Sequence, residues 1–251
     1  MTPHRRRITA YVFLGVILCL ATLWTVRYVE DLHLKPSQQT IILVHGLLNK
    51  PFVMNGIAKV LRKEGYPVYN WGYPSASRTI EEHAAALDHY VKSIKPNRRI
   101  HFVGYSLGAI IIRYMVTHYR IPHEGRFVMI GPPNHGSELA EHYDQYAWFR
   151  MLYGDESIKE LFPSRKAFFK ECGIPRMSFG IIAGGKGDGK GYSDGLPGDN
   201  DGMVSVASAH LEGASDFVIL RHRHLPLIFS EETAQQTLHF IQTGKFSAPK
   251  R

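Results

Sequence analysis

The chain has 251 residues, of which 44% are hydrophobic and 12% are aromatic, so it can bury the core of one domain and is not intrinsically disordered. Its formal net charge of +8 favours an anionic partner such as a membrane surface. No helix-turn-helix, zinc-finger or RNA-binding signature accompanies the basic residues, so we expect no nucleic-acid partner.

The N-terminal segment has the pattern of a membrane anchor. Residues 1–7 are basic, and residues 8–26 contain no charged side chain. A helix over that run is about 28 Å long, close to the roughly 30 Å hydrocarbon core of a bilayer. We predict an uncleaved transmembrane helix over 8–26, followed by a linker over 27–39. A cleaved signal peptide is the alternative, although its apolar core is usually shorter, about 7–15 residues, and no small-x-small cleavage site follows here.

The basic residues on either side of this span predict its orientation. Three arginines at 5–7 precede it, whereas only Arg27 and Lys35 lie in the linker beyond it. Because Lys and Arg near a span favour the cytoplasmic side, residues 1–7 are predicted to be cytoplasmic. The protein is then a single-pass membrane protein whose remaining chain is extracytoplasmic, which in a bacterium means an inner membrane protein facing the periplasm.

From residue 40 to 251 we predict one domain of the α/β class. Apolar runs rich in β-formers alternate with stretches that have helical spacing, which indicates a mostly parallel central sheet of about six strands flanked by helices. The predicted strands are 40–44, 68–71, 100–103, 127–130, 179–183 and 217–220, and the clearest helices are 80–94, 107–119 and 233–241.

Two stretches interrupt this alternation. Residues 137–177 show no strand pattern and are rich in aromatic side chains, and residues 184–202 are rich in glycine and acidic residues. Irregular insertions of this length in a compact domain are usually functional. We interpret 137–177 as a cap or lid-like insertion over an apolar pocket, with an ordinary aromatic core as the alternative.

The sharpest chemical signal is the pattern Gly104-Tyr105-Ser106-Leu107-Gly108. It directly follows a predicted strand and opens a predicted helix. A sharp strand-to-helix turn exposes the serine hydroxyl at the carboxyl end of the sheet, and glycines two residues away avoid collisions there. The helix N-terminus also favours developing negative charge. Ser106 is therefore the candidate nucleophile.

With this motif the chain resembles the α/β-hydrolase superfamily, and within it the bacterial lipases and esterases. Residues 44–47 (Val-His-Gly-Leu) resemble the oxyanion loop after the first central strand. Residues 131–137 resemble the Gly-x-Pro-x-x-Gly-Ser stretch of the family, and residues 200–204 (Asn-Asp-Gly-Met-Val) resemble the segment that holds the acid. Four motifs thus occur in the family order between about residues 40 and 241.

This resemblance implies a triad of Ser106, Asp201 and His224, in the chain order Ser, Asp, His that the fold uses. It also implies an oxyanion hole formed by the backbone N–H groups of Leu47 and Leu107. Three other aspartates of the same loop compete for the role of the acid, and the motif favours Asp201 over them; they are Asp188, Asp194 and Asp199.

Two histidines compete for the role of the base. His222 lies between Arg221 and Arg223, whose positive charges oppose an imidazolium. His224 has only one arginine beside it and precedes an apolar helix start, as in the family, so we choose His224.

No cofactor and no metal are expected. Calcium-dependent bacterial lipases carry an aspartate ligand two residues after the catalytic histidine, where this chain has Pro226. Residues 184–191 approach a nucleotide-binding pattern, but Gly191 replaces the required Ser or Thr. Cys19 lies in the predicted span, which leaves Cys172 without a partner for a disulfide.

The predicted activity is serine hydrolysis of a lipid or another hydrophobic ester through an acyl-enzyme, by a lipase-like or carboxylesterase-like protein held at a membrane. Its oligomeric state is left open. Thioesterase, amidase and acyltransferase chemistry on the same fold are alternatives that these motifs do not separate. A membrane-tethered interaction protein that has lost catalysis is an alternative of another class, against which the intact triad argues.

Overall fold

A computed structural model describes residues 34–94, 98–144 and 159–248. Its centre is a six-stranded sheet in the order β2-β1-β3-β4-β5-β6, and every pair of neighbouring strands in it is parallel. The predicted α/β class with a parallel six-stranded sheet is therefore confirmed. The strands are β1 (Gln39–Val44), β2 (Val68–Trp71), β3 (Arg99–Tyr105), β4 (Glu124–Ile130), β5 (Ser178–Gly184) and β6 (Asp216–Leu220).

Helices connect the strands on both faces of this sheet. The three longest predicted helices are present within two residues of their predicted ends, and the shorter ones were not predicted. The α-helices of the described residues are α1 (Asn55–Lys63), α2 (Ile80–Ser93), α3 (Leu107–His118), α4 (Glu138–Tyr143), α5 (Lys166–Glu171), α6 (Val206–Ala209), α7 (His224–Phe229) and α8 (Glu231–Thr243), with 3-10 turns at Pro36–Gln38 and Pro51–Met54.

The core forms two layers because alternate side chains of a strand point to opposite faces of the sheet. In β1, Ile42 and Val44 face the layer that contains α2 and α3, whereas Ile41 and Leu43 face the layer that contains α1 and α8. All four side chains are fully buried. A strand buried on both faces explains the continuous apolar run in the sequence.

Strand β1 begins at Gln39, one residue before its predicted start. Residues 36–39 were assigned to the linker, but Gln39 already pairs with Arg99 in the sheet, and the compact unit starts at Pro36. A polar side-chain contact holds Gln39 at the start of the sheet: His101 Nε2 lies 2.9 Å from Gln39 Oε1. The other ring nitrogen of His101, Nδ1, accepts the N–H of Arg126. Burial lowers the pKa of His101 to about 3, so the ring is neutral and ties three strands together.

Among the described residues no helix is both long enough and apolar enough to cross a bilayer. The predicted transmembrane segment at 8–26 and most of the linker at 27–39 lie outside those residues. They stay predictions.

The insertion at 137–177 is described only in part. Its described residues contain α4 and α5 and no strand. Phe168 and Phe169 of α5 are buried in the core beside α3. These two side chains therefore belong to an ordinary aromatic core, which was the alternative to the cap. Four other aromatic residues of this insertion, at positions 146, 148, 149 and 153, lie outside the described residues.

The packing predicts opposite effects of alanine at two glycines. A Cβ at Gly180 in β5 would lie 2.3 Å from the buried ring of Phe240, whereas a Cβ at Gly56 in α1 would meet nothing within 4 Å. We expect Gly180→Ala to lower the free energy of unfolding by at least about 1–3 kcal/mol. Gly56→Ala should raise it by about 0.5–1 kcal/mol, because alanine has less backbone freedom to lose.

Urea denaturation monitored by circular dichroism measures both changes. A Gly180→Ala protein as stable as the wild type would contradict the placement of α8 on the sheet.

Candidate active site

Ser106 lies at a strained turn between β3 and α3. Its backbone has φ 52° and ψ −123°, a conformation that costs a non-glycine residue of order 1–3 kcal/mol. The turn is held by two hydrogen bonds: the Ser106 N–H donates to Ile130 at 2.8 Å, and its carbonyl accepts from Ala109 at 2.9 Å. The serine side chain is thereby presented at the carboxyl edge of the sheet.

The two glycines of the motif are required by close backbone approaches. A Cβ at Gly104 would lie 2.5 Å from Cα of Ala109, and a Cβ at Gly108 would lie 2.3 Å from the carbonyl oxygen of Val44. Real Cβ atoms do not approach backbone so closely. The start of α3 can therefore pack against β3 only because Gly104 has no side chain, and against the end of β1 only because Gly108 has none. Both approaches support the interpretation of this pattern as a strained turn.

His224 lies beside this serine. Its Nε2 is 3.0 Å from Ser106 Oγ, although the two residues are 118 positions apart in the chain. The side chain is almost completely buried, and its backbone N–H donates to the carbonyl of Asp201 at 2.9 Å. Its position at the first residue of α7, directly after the loop that follows β6, points the ring back over the sheet edge.

Asp201 completes this chain of contacts. Its Oδ2 lies 2.6 Å from Nδ1 of His224, and its Oδ1 accepts the N–H groups of Met203 and Val204 at 2.9 and 2.8 Å. A carboxylate with both oxygens occupied cannot rotate freely. Because only one of the two histidine nitrogens contacts a carboxylate, the proton is placed on Nδ1, and Nε2 is left to accept from the serine.

The competing residues make other contacts. His222 Nε2 lies 2.9 Å from Ser230 Oγ and 3.7 Å from Glu232, at the start of α8. Asp199 accepts backbone N–H groups of its own loop, as does the exposed Asp188. Within the described part of the chain, Asp201 is the one of the four candidate aspartates that contacts an imidazole.

Asn200 fixes the position of Asp201 and was not predicted from the sequence as a separate site residue. It is fully buried, and its Oδ1 accepts the N–H groups of Tyr192, Ser193 and Gly202. Its Nδ2 donates to three carbonyls, at Lys190, Ser193 and Gly198. The loop at 184–202 is thus cross-linked around one amide, which fixes the position of the next residue, Asp201. The Asn-Asp-Gly pattern was the available signal.

The backbone N–H groups of Leu47 and Leu107 belong to the loop after β1 and to the first turn of α3. Leu107 directly follows Ser106, and Leu47 lies on a loop so close to it that a Cβ at Gly46 would be 3.1 Å from Ser106 Cβ. Neither N–H donates to an acceptor among the described residues. Two unused backbone donors close to a serine hydroxyl are groups that could bind an oxyanion.

An apolar cavity of about 230 Å³ opens beside the Ser106 side chain. Among the described residues of the insertion, Ser137, Leu139, Ala140 and Leu161 line it. The cap over this cavity stays a prediction. The other lining side chains include Leu47, Leu48, Pro133, Met203, Val204 and Leu225.

Tyr105 forms the floor of the site behind His224. Its hydroxyl donates to the carbonyl of His224 at 3.1 Å, and the two rings are 5.2 Å apart. Burial and the nearby charge of Asp201 raise the pKa of Tyr105 well above its usual range, so the hydroxyl stays protonated and remains a donor.

Among the described residues no group of three or more His, Cys, Asp or Glu side chains could hold a metal ion.

Solved structures of other proteins have the same architecture. The lipase BlEst2 of Bacillus licheniformis in its mature form matches with a TM-score of 0.64 and 21% identity, over 83% of this chain and 93% of that one. The metagenomic carboxyl esterase MGS0156 matches with a TM-score of 0.63 and 17% identity, over 82% and 74%.

A gene product of Listeria innocua matches with a TM-score of 0.59 and 18% identity, over 84% and 96%. An extracellular α/β-hydrolase from a Paenibacillus species matches with a TM-score of 0.52 and 14% identity, over 80% and 98%. The chain has the α/β-hydrolase fold. The expected fold is thereby confirmed. No family model matches the sequence, and no curated protein is similar enough in sequence to count as a match.

The contacts predict which histidine activates Ser106. A fluorophosphonate probe labels a serine only when a neighbouring base takes its proton. We expect His224→Ala to slow labelling by at least about 10³-fold, because His224 is the base that contacts the hydroxyl in the described part of the chain. His222→Ala should label within about threefold of the wild-type rate.

Labelling is followed by mass spectrometry of the intact protein, with thermal unfolding as a check of the fold. Fast labelling of His224→Ala together with slow labelling of His222→Ala would reverse the choice of the base.

Proposed function

We propose that this protein is a serine ester hydrolase of the lipase or carboxylesterase type, which acts on a lipid or another hydrophobic ester. The observation that carries the proposal is the series of contacts from Ser106 Oγ through His224 to Asp201, at 3.0 and 2.6 Å. These distances are those of a hydroxyl activated by a neighbouring base that is itself oriented by a carboxylate.

The proposed mechanism begins with removal of the Ser106 proton by Nε2 of His224 as Oγ attacks the ester carbonyl. The carbonyl oxygen becomes an oxyanion, to which the N–H groups of Leu47 and Leu107 donate. Asp201 stabilises the imidazolium, which then protonates the leaving alcohol. Water attacks the resulting acyl-enzyme by the same route in reverse, with His224 again as the base, and releases the carboxylic acid.

The apolar cavity supports a hydrophobic acyl group, because its described lining is mainly aliphatic. The names of similar structures point in the same direction: they include a lipase, a carboxyl esterase and a phospholipase from Legionella pneumophila. The last has a TM-score of 0.52, and this chain covers 45% of its length.

Replacement of the nucleophile tests the proposal. Ser106→Ala should lower ester turnover by about 10⁴- to 10⁶-fold without loss of stability, because the hydroxyl lies at a surface turn and not in the core. Ser178→Ala is the matched control, since that hydroxyl is exposed at the amino edge of the sheet.

The assay uses p-nitrophenyl esters of increasing acyl length, beside the thioester and amide of the same acyl group. A Ser106→Ala protein that keeps a tenth of the activity would overturn the assignment. Faster turnover of the thioester or amide would instead redirect it to one of the alternative acyl chemistries.

We further propose that residues 8–26 anchor the protein in a membrane with its catalytic domain outside the cytoplasm. The support is the uncharged run itself and the three arginines before it. Protease added to intact spheroplasts should therefore digest the domain without lysis. Protection until lysis would reverse the orientation, and a mature soluble protein that starts after Val26 would favour the signal-peptide alternative.

A further inference from the structure

We propose that Tyr73 and Ser75, on the loop that follows β2, are positioning residues that fix the direction of the Leu47 N–H. The inference rests on the proposed function, since it concerns how the oxyanion donor of that mechanism is held. Neither residue lines the cavity beside Ser106. Both are buried, with 7% and 5% of their surface exposed, and both contact the loop at residues 45–49.

The direction of the Leu47 N–H is set by the peptide that joins Gly46 to Leu47. In a trans peptide the N–H and C=O point in opposite directions, so holding the Gly46 carbonyl aims the Leu47 N–H. That carbonyl accepts from two donors, His45 Nδ1 at 2.9 Å and the N–H of Asn49 at 3.3 Å. The peptide is thus held through its carbonyl by two hydrogen bonds.

Tyr73 holds the His45 side of this arrangement. Its hydroxyl donates to the His45 carbonyl at 2.7 Å, and its ring stacks on the His45 ring with the centroids 4.4 Å apart. Trp71 stacks on the other side of Tyr73, at 4.8 Å. Since burial lowers the pKa of His45, its ring is neutral, and its one proton is on Nδ1 because the Gly46 carbonyl can only accept.

Ser75 holds the other side of the loop. Leu48 has φ 55°, and its N–H donates to Ser75 Oγ at 2.9 Å. A leucine at positive φ is strained, so a strong partner is needed to keep it there. Asn49 Nδ2 also donates to the Leu47 carbonyl at 3.0 Å. Both groups of the peptide after Leu47 are therefore fixed.

These contacts predict a loss confined to the transition state. We expect Tyr73→Phe and Ser75→Ala each to lower kcat for a p-nitrophenyl ester about tenfold with KM nearly unchanged. Loss of a whole oxyanion donor costs about 10²- to 10³-fold, and a misaimed donor loses part of that. An alkyl trifluoromethyl ketone reports on the same donor: Ser106 Oγ adds to its carbonyl carbon, the proton passes to His224, and the carbonyl oxygen becomes the oxyanion.

The inhibition constant of this ketone should weaken in proportion to the fall in kcat/KM. Ser77→Ala and Tyr69→Phe are the matched controls, because the exposed Ser77 hydroxyl donates to Pro74 of its own turn and Tyr69 is exposed on β2. Both should keep wild-type constants. If Ser75→Ala does not fold, Ser75→Cys preserves the size of the side chain with a much weaker acceptor.

Folded variants with unchanged kcat and unchanged ketone affinity would overturn the inference. A fall in kcat/KM with unchanged ketone affinity would also overturn it, since the loss would then lie outside the oxyanion donors. Ser106→Ala separates this failure from failure of the proposed function: if it remains active, the mechanism itself is wrong, whereas an inactive Ser106→Ala beside neutral loop variants rejects only the positioning role.

Discussion

The site depends on one backbone constraint, the left-handed turn at Ser106, which presses the start of α3 against the end of β1. The approach is possible because Gly108 has no side chain to meet the Val44 carbonyl. It places the first N–H groups of α3 next to the loop that leaves β1. The chain leaves β1 towards β2 and leaves β3 towards β4, which lie on opposite sides of this neighbouring pair of strands. In parallel sheets, ligands bind where the strand order switches in this way. A serine at this switch point has backbone N–H donors on two sides, from the loop after β1 and from the first turn of α3.

The parallel sheet then brings distant residues to the same edge. Strands β3, β5 and β6 all end at the carboxyl side, so the loops after them supply Ser106, Asp201 and His224. The first two of these loops are tied to a neighbouring strand where they leave the sheet: the Ser106 N–H donates to Ile130, and the Gly185 N–H donates to Leu220. Residues 118 positions apart can therefore keep a 3.0 Å contact without a covalent link, because the sheet sets the spacing between them.

How much of the fold was predictable follows from which interactions leave a pattern in the sequence. Strands β1, β3, β4 and β5 were found because their central residues are apolar and buried on both faces, whereas the outer strands β2 and β6 are only partly buried and were found from shorter apolar runs. Strand β4 begins three residues earlier than predicted, at Glu124, since backbone pairing does not require apolar side chains. The four residues of α6 and the six of α7 are too few to show a helical period. Helix α1 has apolar residues at helical spacing, which is a signal that predicts it.

The candidate site shows the same limit. The order of the motifs predicted which serine, aspartate and histidine would meet, but Tyr73 and Ser75 act on backbone atoms of a distant loop, and such contacts impose no spacing. Asp201 and Asp199 are the same residue type, and both accept backbone N–H groups of one loop. Neither property shows which of them contacts the histidine. The difference is that Asp201 accepts two N–H groups at one oxygen and keeps the other, Oδ2, for the imidazole. An aspartate orients a histidine only if its hydrogen bonds leave one oxygen free on that side, which depends on the folded loop around Asn200.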